Sequence, residues 1–216
     1  MIEIDLHVHS SASFDGVLAP RKVLRCAHAA GLGGVAIVDH GTIAGAVAAC
    51  KMNDDPDFIV IVGQETETEL GDLVGLFLTQ RVDARSARDV ISEIHEQGGL
   101  AVLPHPYKGH PEWPAALLRM LDGVELANAR VKVPFDTVAR REIAEPYELA
   151  ELAGSDAHLP WEVGAARTLL GCTPGDAEGV RQAIATRACI PLRSGRAWSP
   201  TAVLASKVVK RLRRLG

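Results

Sequence analysis

The chain has 216 residues, 47% of them apolar, and a formal net charge of −4, so it can bury one sizeable core without crosslinks. Its four cysteines, Cys26, Cys50, Cys172 and Cys189, are far apart and form no CxxC pair, which argues against a zinc knuckle or disulfide framework and for reduced thiols in a cytoplasmic protein. No apolar run approaches the ~20 residues of a membrane span, no export leader precedes the first strand-like segment, and the acidic body contrasts with a basic end at Lys207, Lys210, Arg211, Arg213 and Arg214.

Short β-branched apolar runs predict strands over residues 2–8, 34–38, 58–62, 73–78, 100–103, 123–126 and 149–153. Amphipathic stretches between them predict helices over 20–30, 43–52, 83–97, 111–121, 134–147 and 174–186. Pro20 and Gly31 mark the limits of the first helix. This rhythm is that of a parallel sheet with covering helices, open or closed into a barrel. No linker or repeat divides the chain, so one domain spanning 1–216 is expected. A basic amphipathic helix over 201–215 closes it, read as docked on the body, with a partner or nucleic acid as the other possibility.

The polar residues decide for the barrel. Asp5-Leu6-His7-Val8-His9-Ser10 ends the first strand; alternation aims His7 and His9 to one side, with Leu6 and Val8 toward the helices. Val38 runs into Asp39-His40, Val62 into Gly63-Gln64-Glu65, Leu103 into Pro104-His105-Pro106, and Gly154 into Ser155-Asp156-Ala157-His158. Five of the eight histidines thus fall at strand ends, and in a parallel barrel those ends share one face. His28 and His95 fall in helices and read as structural or exposed. Imidazoles with carboxylates and no thiolate suit Zn2+, Mn2+ or Fe2+. Two ions can activate a bridging hydroxide against phosphorus without a serine or cysteine nucleophile.

These residues, in this order and with Asp15-Gly16 between the first two motifs, resemble the PHP (polymerase and histidinol phosphatase) domain family over roughly residues 1–195. The resemblance implies a distorted (β/α)7 barrel with two or three divalent ions at the C-terminal ends of the strands. It implies that His7, His9, Glu65 and Asp156 hold the first ion. Glu65 would bridge to a second held by His105, and Asp15, His40 and His158 would hold a third. The chain departs from trinuclear members by offering Glu125-Leu126-Ala127-Asn128 where they supply another histidine. It also lacks the helical insertion of members that hydrolyse nucleoside monophosphates or short oligonucleotides, and looks like the short stand-alone proteins.

The expected activity is hydrolysis of a phosphate mono- or diester, with a small molecule or short nucleotide as substrate and no membrane partner. Asp156, His158 and Glu65 are the candidate catalytic groups. Arg130 is the first candidate for the phosphate and Lys108 the second, Arg for its bidentate fork; Arg167 is a third. Tyr107 and Trp161 read as packing residues. Two rivals remain: an amidohydrolase-type metal hydrolase, disfavoured because no lysine stands at a strand end to bridge ions, and a non-catalytic, metal-stabilised module.

Overall fold

The computed structural model describes residues 1–108, 112–132, 136–173 and 175–194. The helix expected over 201–215 lies outside them, as do Pro111, Pro134 and Pro174. Strand β1 (Ile2–Val8) is followed by α1 (Pro20–Ala29), β2 (Gly34–Ile37), α2 (Ala44–Met52) and the long β3 (Ile59–Thr68). Then come β4 (Gly71–Leu76), α3 (Ala87–Glu96), β5 (Leu100–Leu103), the short α4 (Ala115–Leu118) and β6 (Gly123–Asn128). A single turn, α5 (Thr137–Ala139), widens into a π-helical turn over Arg140–Ala144, and β7 (Ala150–Gly154), β8 (Ala166–Leu170), α6 (Ala177–Ala185) and β9 (Cys189–Arg193) complete the chain.

The nine strands form one sheet in the order β7-β6-β5-β4-β3-β2-β1-β8-β9. Strand β7 also packs against β1, β8 and β9, so the sheet curls into the nearly closed, distorted barrel that was expected. Two corrections apply to its strands. Among the described residues there are nine rather than seven, because β8 and β9 form an antiparallel pair appended to β1. And β4 runs antiparallel to both neighbours, since the two residues between Thr68 and Gly71 allow only a hairpin, with Gly71 taking φ +101°. Strands β1, β2, β3, β5, β6 and β7 still point the same way, and these bring the polar motifs to one end.

Apolar side chains form two layers. The interior gathers Ile4, Leu6, Ala36, Ile61, Val74, Leu76, Val102 and Leu152 from around the ring, joined by Val180 and Ile184 of α6. Outside, Val8, Val35 and Ile37 meet Val23, Ala27, Ala46 and Ala49 of α1 and α2, and Leu73, Ala101, Leu103 and Leu126 meet Val90, Ile91 and Ile94 of α3. Leu6 was expected to face the helices with Val8; instead it lies inside. The pairing of β1 with β2 shifts register between Asp5 and Val8, and such a bulge reverses which side each later residue faces. Among the described residues, no helix is long and apolar enough to cross a membrane.

Candidate metal centre

The bulge in β1 sends His7 and His9 to the interior while Val8 stays with the helices, and both imidazoles are fully buried. Their Nε2 atoms stand 3.1 Å apart. Glu65 enters from the middle of β3, not from its end as the sequence suggested, because the strand continues to Thr68 in the hairpin. Its Oε2 lies 3.5 Å from His7 Nε2, 3.2 Å from His9 Nε2 and 3.4 Å from His40 Nε2, and its Oε1 lies 3.4 Å from His105 Nε2. Asp156 Oδ1 is 3.6 Å from His9 Nε2 and 3.5 Å from His158 Nδ1. Asp15 Oδ2 joins His40 Nε2 at 3.3 Å and His158 Nε2 at 3.2 Å.

All eight residues proposed from the sequence as ligands therefore converge. Their donor atoms fall into four overlapping groups, each compact enough to hold one ion: His7, His9 and Asp156; His7, Glu65 and His105; His9, His40 and Glu65; His9, Asp15 and His158. Glu65 Oε1 and His9 Nδ1 are buried with no hydrogen bond. A buried carboxylate oxygen left unsatisfied carries its full desolvation penalty, and imidazole nitrogens and carboxylate oxygens turned toward one another are the donor set of a borderline divalent cation. The residues fit such ions. His105 and Asp156 occupy positive φ, +29° and +56°, strain of the kind stored at functional sites.

The flanking groups are equally placed. Asp39, fully buried, accepts from Ser10 N and Ser10 Oγ, both at 2.6 Å, pinning the loop that carries Asp15. Asp5 accepts from His7 N, Ser155 N and Gly164 N at 3.2, 2.8 and 2.8 Å, joining β1 to the loop before Asp156. The Phe14 ring stacks on His40 at 4.8 Å.

A family model described as the PHP domain matches residues 5–154, and one described as PHP-associated matches residues 139–189. The chain belongs to the PHP domain family. It is 38% identical over 143 residues to an uncharacterized protein of Methanocaldococcus jannaschii, covering 59% of this chain and 82% of that one. Among solved structures, a two-domain protein of Bacteroides vulgatus, described as containing a predicted PHP-like metal-dependent phosphoesterase, superposes with a TM-score of 0.78 at 19% identity over 89% of this chain. This chain spans 64% of that protein's length. An amidohydrolase of Chromobacterium violaceum, with bound sulfate and no metal, superposes with a TM-score of 0.63 at 19% identity, covering 88% of this chain and 97% of that one. At those identities the structures share the fold.

Charge in the PHP site is self-consistent. Burial pushes Glu65 up, but the imidazoles of His40, His7 and His105 outweigh it and hold the carboxyl well below the ordinary range. Asp156 is likewise raised by burial and brought well below its usual value by Lys108, His7 and His158. Burial lowers His9 to about 3, with His158 and His40 adding to it. Burial also disfavours charge on His7 and His40, yet Glu125 and Glu65 carry His7 well above 6.5, and Glu65 and Asp15 carry His40 to about 9.

A sign follows for the metal-free protein. A histidine whose folded pKa exceeds its unfolded 6.5 favours the fold below that pH and loses this contribution as pH rises through the folded value. The unfolding midpoint in chelator should therefore fall between pH 6.5 and about 9, the His40 window. Added Mn2+ should flatten the slope, because a bound cation takes the place of those protons. A midpoint in chelator that stays level or rises across this window would contradict the assignment.

The cations separate. Lys108 Nζ lies 3.1 Å from Asp156 Oδ2 with its side chain 44% exposed, at the edge of the cluster. Arg130 Nη1 instead pairs with Glu162 Oε2 at 3.3 Å, and that carboxylate oxygen also accepts from His158 N and Leu159 N, both at 2.9 Å. Arg167 pairs with Glu3 at 2.9 Å, near the start of β1 and away from the cluster. Tyr107 and Trp161, expected to pack, are instead 52% and 59% exposed, because their loops lie on the rim. His95 is on the surface, bonded to Asp122 Oδ2 at 2.8 Å. Sequence reasoning passed over Glu125 as a working residue. The signal was available: a lone acid inside Gly-Val-Glu-Leu-Ala-Asn, a strand buried throughout, needs a partner.

Proposed function

We propose that this chain is a metal-dependent phosphoesterase acting on a small phosphate mono- or diester. One observation carries the reading: Glu65 reaches four imidazoles from the centre of the cluster, so a carboxylate rather than a lysine would bridge ions there. His7, His9, Glu65 and Asp156 would hold one ion, Glu65 and His105 a second, and Asp15, His40 and His158 a third, of Mn2+, Zn2+ or Fe2+. Bound there, divalent ions supply a water of lowered pKa and neutralise charge on phosphoryl oxygens.

The chain's own groups do the rest. Lys108, exposed on one side and held by Asp156 on the other, can turn its ammonium onto a phosphoryl oxygen. Asp156, ionised at neutral pH, can accept a proton at its carboxylate. His158 Nδ1 donates to the Asp156 carbonyl at 2.8 Å, which turns Nε2, 3.2 Å from Asp15 Oδ2, toward the cluster as a donor atom for an ion. The apolar side chains packed beneath these groups would keep water to the open end.

Purified full-length protein with Mn2+ should hydrolyse p-nitrophenyl phosphate or its bis-ester, and lose that activity in chelator. Turnover of amides or lactones with no phosphate ester cleaved would transfer the chain to the amidohydrolase reading. Lys108→Ala should lower kcat/KM about tenfold, the worth of one charge-assisted hydrogen bond, chiefly through KM. An unchanged KM would remove Lys108 from the substrate site.

A further inference from the structure

Strand β6 runs among ligand-bearing strands, yet no side chain on it joins any of the four ion-sized groups found among the described residues. In place of a ligand it carries Glu125, buried to 4% exposure. Glu125 Oε1 stands 2.8 Å from His7 Nδ1. Its Oε2 accepts from the backbone N–H of His105 and from Asn128 Nδ2, both at 3.0 Å. Asn128 is itself fixed, since its Oδ1 accepts from Arg130 N at 2.9 Å. The pairing of β6 with β7 shifts register between Glu125 and Ala127, the bulge that places Glu125 and Asn128 within reach of each other.

We propose that Glu125 is a positioning residue that fixes His7 as the tautomer protonated on Nδ1, turning Nε2 to the cluster, and ties that choice to the placement of His105. The donor count supports this. Two of the three groups aimed at Glu125, the His105 N–H and the Asn128 amide, can only donate as placed, so both occupy Oε2. Oε1 is then left to accept from His7 Nδ1. A second proton on Nε2 would block ligation, so the tautomer and the ability to hold an ion are one property. Because the His105 N–H bonds to the same carboxylate, the side chain spaces His7 and His105 on either side of Glu65. Only a carboxylate can accept on both sides. Glutamine in this position would set its amide N–H2 against either the His105 N–H or His7 Nδ1, and the latter choice forces the wrong tautomer.

This proposal rests on the metal reading above, and the experiment separates the two. Zn2+ and Mn2+ are titrated into the full-length parent and into E125Q, with thermal unfolding of each metal-free protein as the folding control. The expected result is cation affinity weaker by roughly 10–100-fold in E125Q, the usual cost of removing a carboxylate behind a ligating histidine. Comparable affinity in a folded E125Q overturns the positioning role alone; a parent that binds neither cation overturns the metal reading and this proposal together. A second measurement needs no variant. In the 15N-histidine spectrum of the Zn2+-loaded parent, His7 should carry its proton on Nδ1 in slow exchange, and a ring protonated on Nε2 in that state overturns the proposal.

Discussion

Glu65→Gln is expected to lower Mn2+-dependent phosphate-ester hydrolysis by at least ~10³-fold, about 4 kcal/mol of barrier, with little change in secondary structure. The side chain is 2% exposed and belongs to two of the four ion-sized groups. Its Oε1 makes no hydrogen bond in the protein, and its charge is matched by the imidazoles of the cluster rather than by the main chain, so the loss falls on the site more than on the strands. The cluster loses much more. A carboxamide has one acceptor oxygen in place of two and points N–H donors at imidazole nitrogens 3.2–3.5 Å away. Metal content by elemental analysis should drop along with turnover. A variant that keeps both its cations and its rate would dismiss Glu65 from the bridging position and with it the phosphoesterase mechanism.

Gly154→Ala should be nearly as damaging to activity and far worse for the fold. A Cβ there would fall 2.3 Å from His7 Cβ, 2.9 Å from His7 N and 2.8 Å from Glu125 Oε1. Two of these contacts are with the rigid base of a residue on β1, and neither strand can retreat cheaply from a packed barrel. Overpacking of this kind costs ~1–3 kcal/mol, and here the relief would come from moving His7 off the cluster. A lowered unfolding midpoint with weakened cation binding is the expected pair of results. Full stability and full binding would show that β1 and β7 have room the distances deny.

The ligand set was legible because each member sits where an apolar run stops, a pattern set by strand direction and independent of exact boundaries. Glu67 and Thr68 pair with Asp72 and Gly71 of β4 and are polar, so they leave no apolar trace, but Glu65 was found because it follows the apolar run although its strand runs three residues further. Strands β8 and β9 were missed for related reasons. Alternate positions of β8 are only half buried, and β9 carries Pro191, which an outer strand tolerates and an inner one would not. The long helices α1 and α3 came out within a few residues because their apolar stripes repeat for several turns. The stretch expected as a helix over 134–147 has one α-turn and a π-turn in the described part, too little length for a period to set its type. Glu125 was visible as a residue but not as a partner of His7, since the two are 118 positions apart.

The ring of strands is fastened by few bonds where β1 meets β7. Val8 and Ala157 form an isolated bridge, Asp156 N donates to His7 O at 2.7 Å, and His9 N donates to Ala157 O at 2.9 Å. In that seam the main chain of His7, His9 and Asp156 belongs to residues whose side chains face the cluster. Cation loading and closure of the ring are thus two legs of one thermodynamic cycle: whatever affinity an ion draws from a shut ring, the ring regains as resistance to opening. Amide exchange at Asp156 and His9 would gauge the filling of the site as directly as a rate assay.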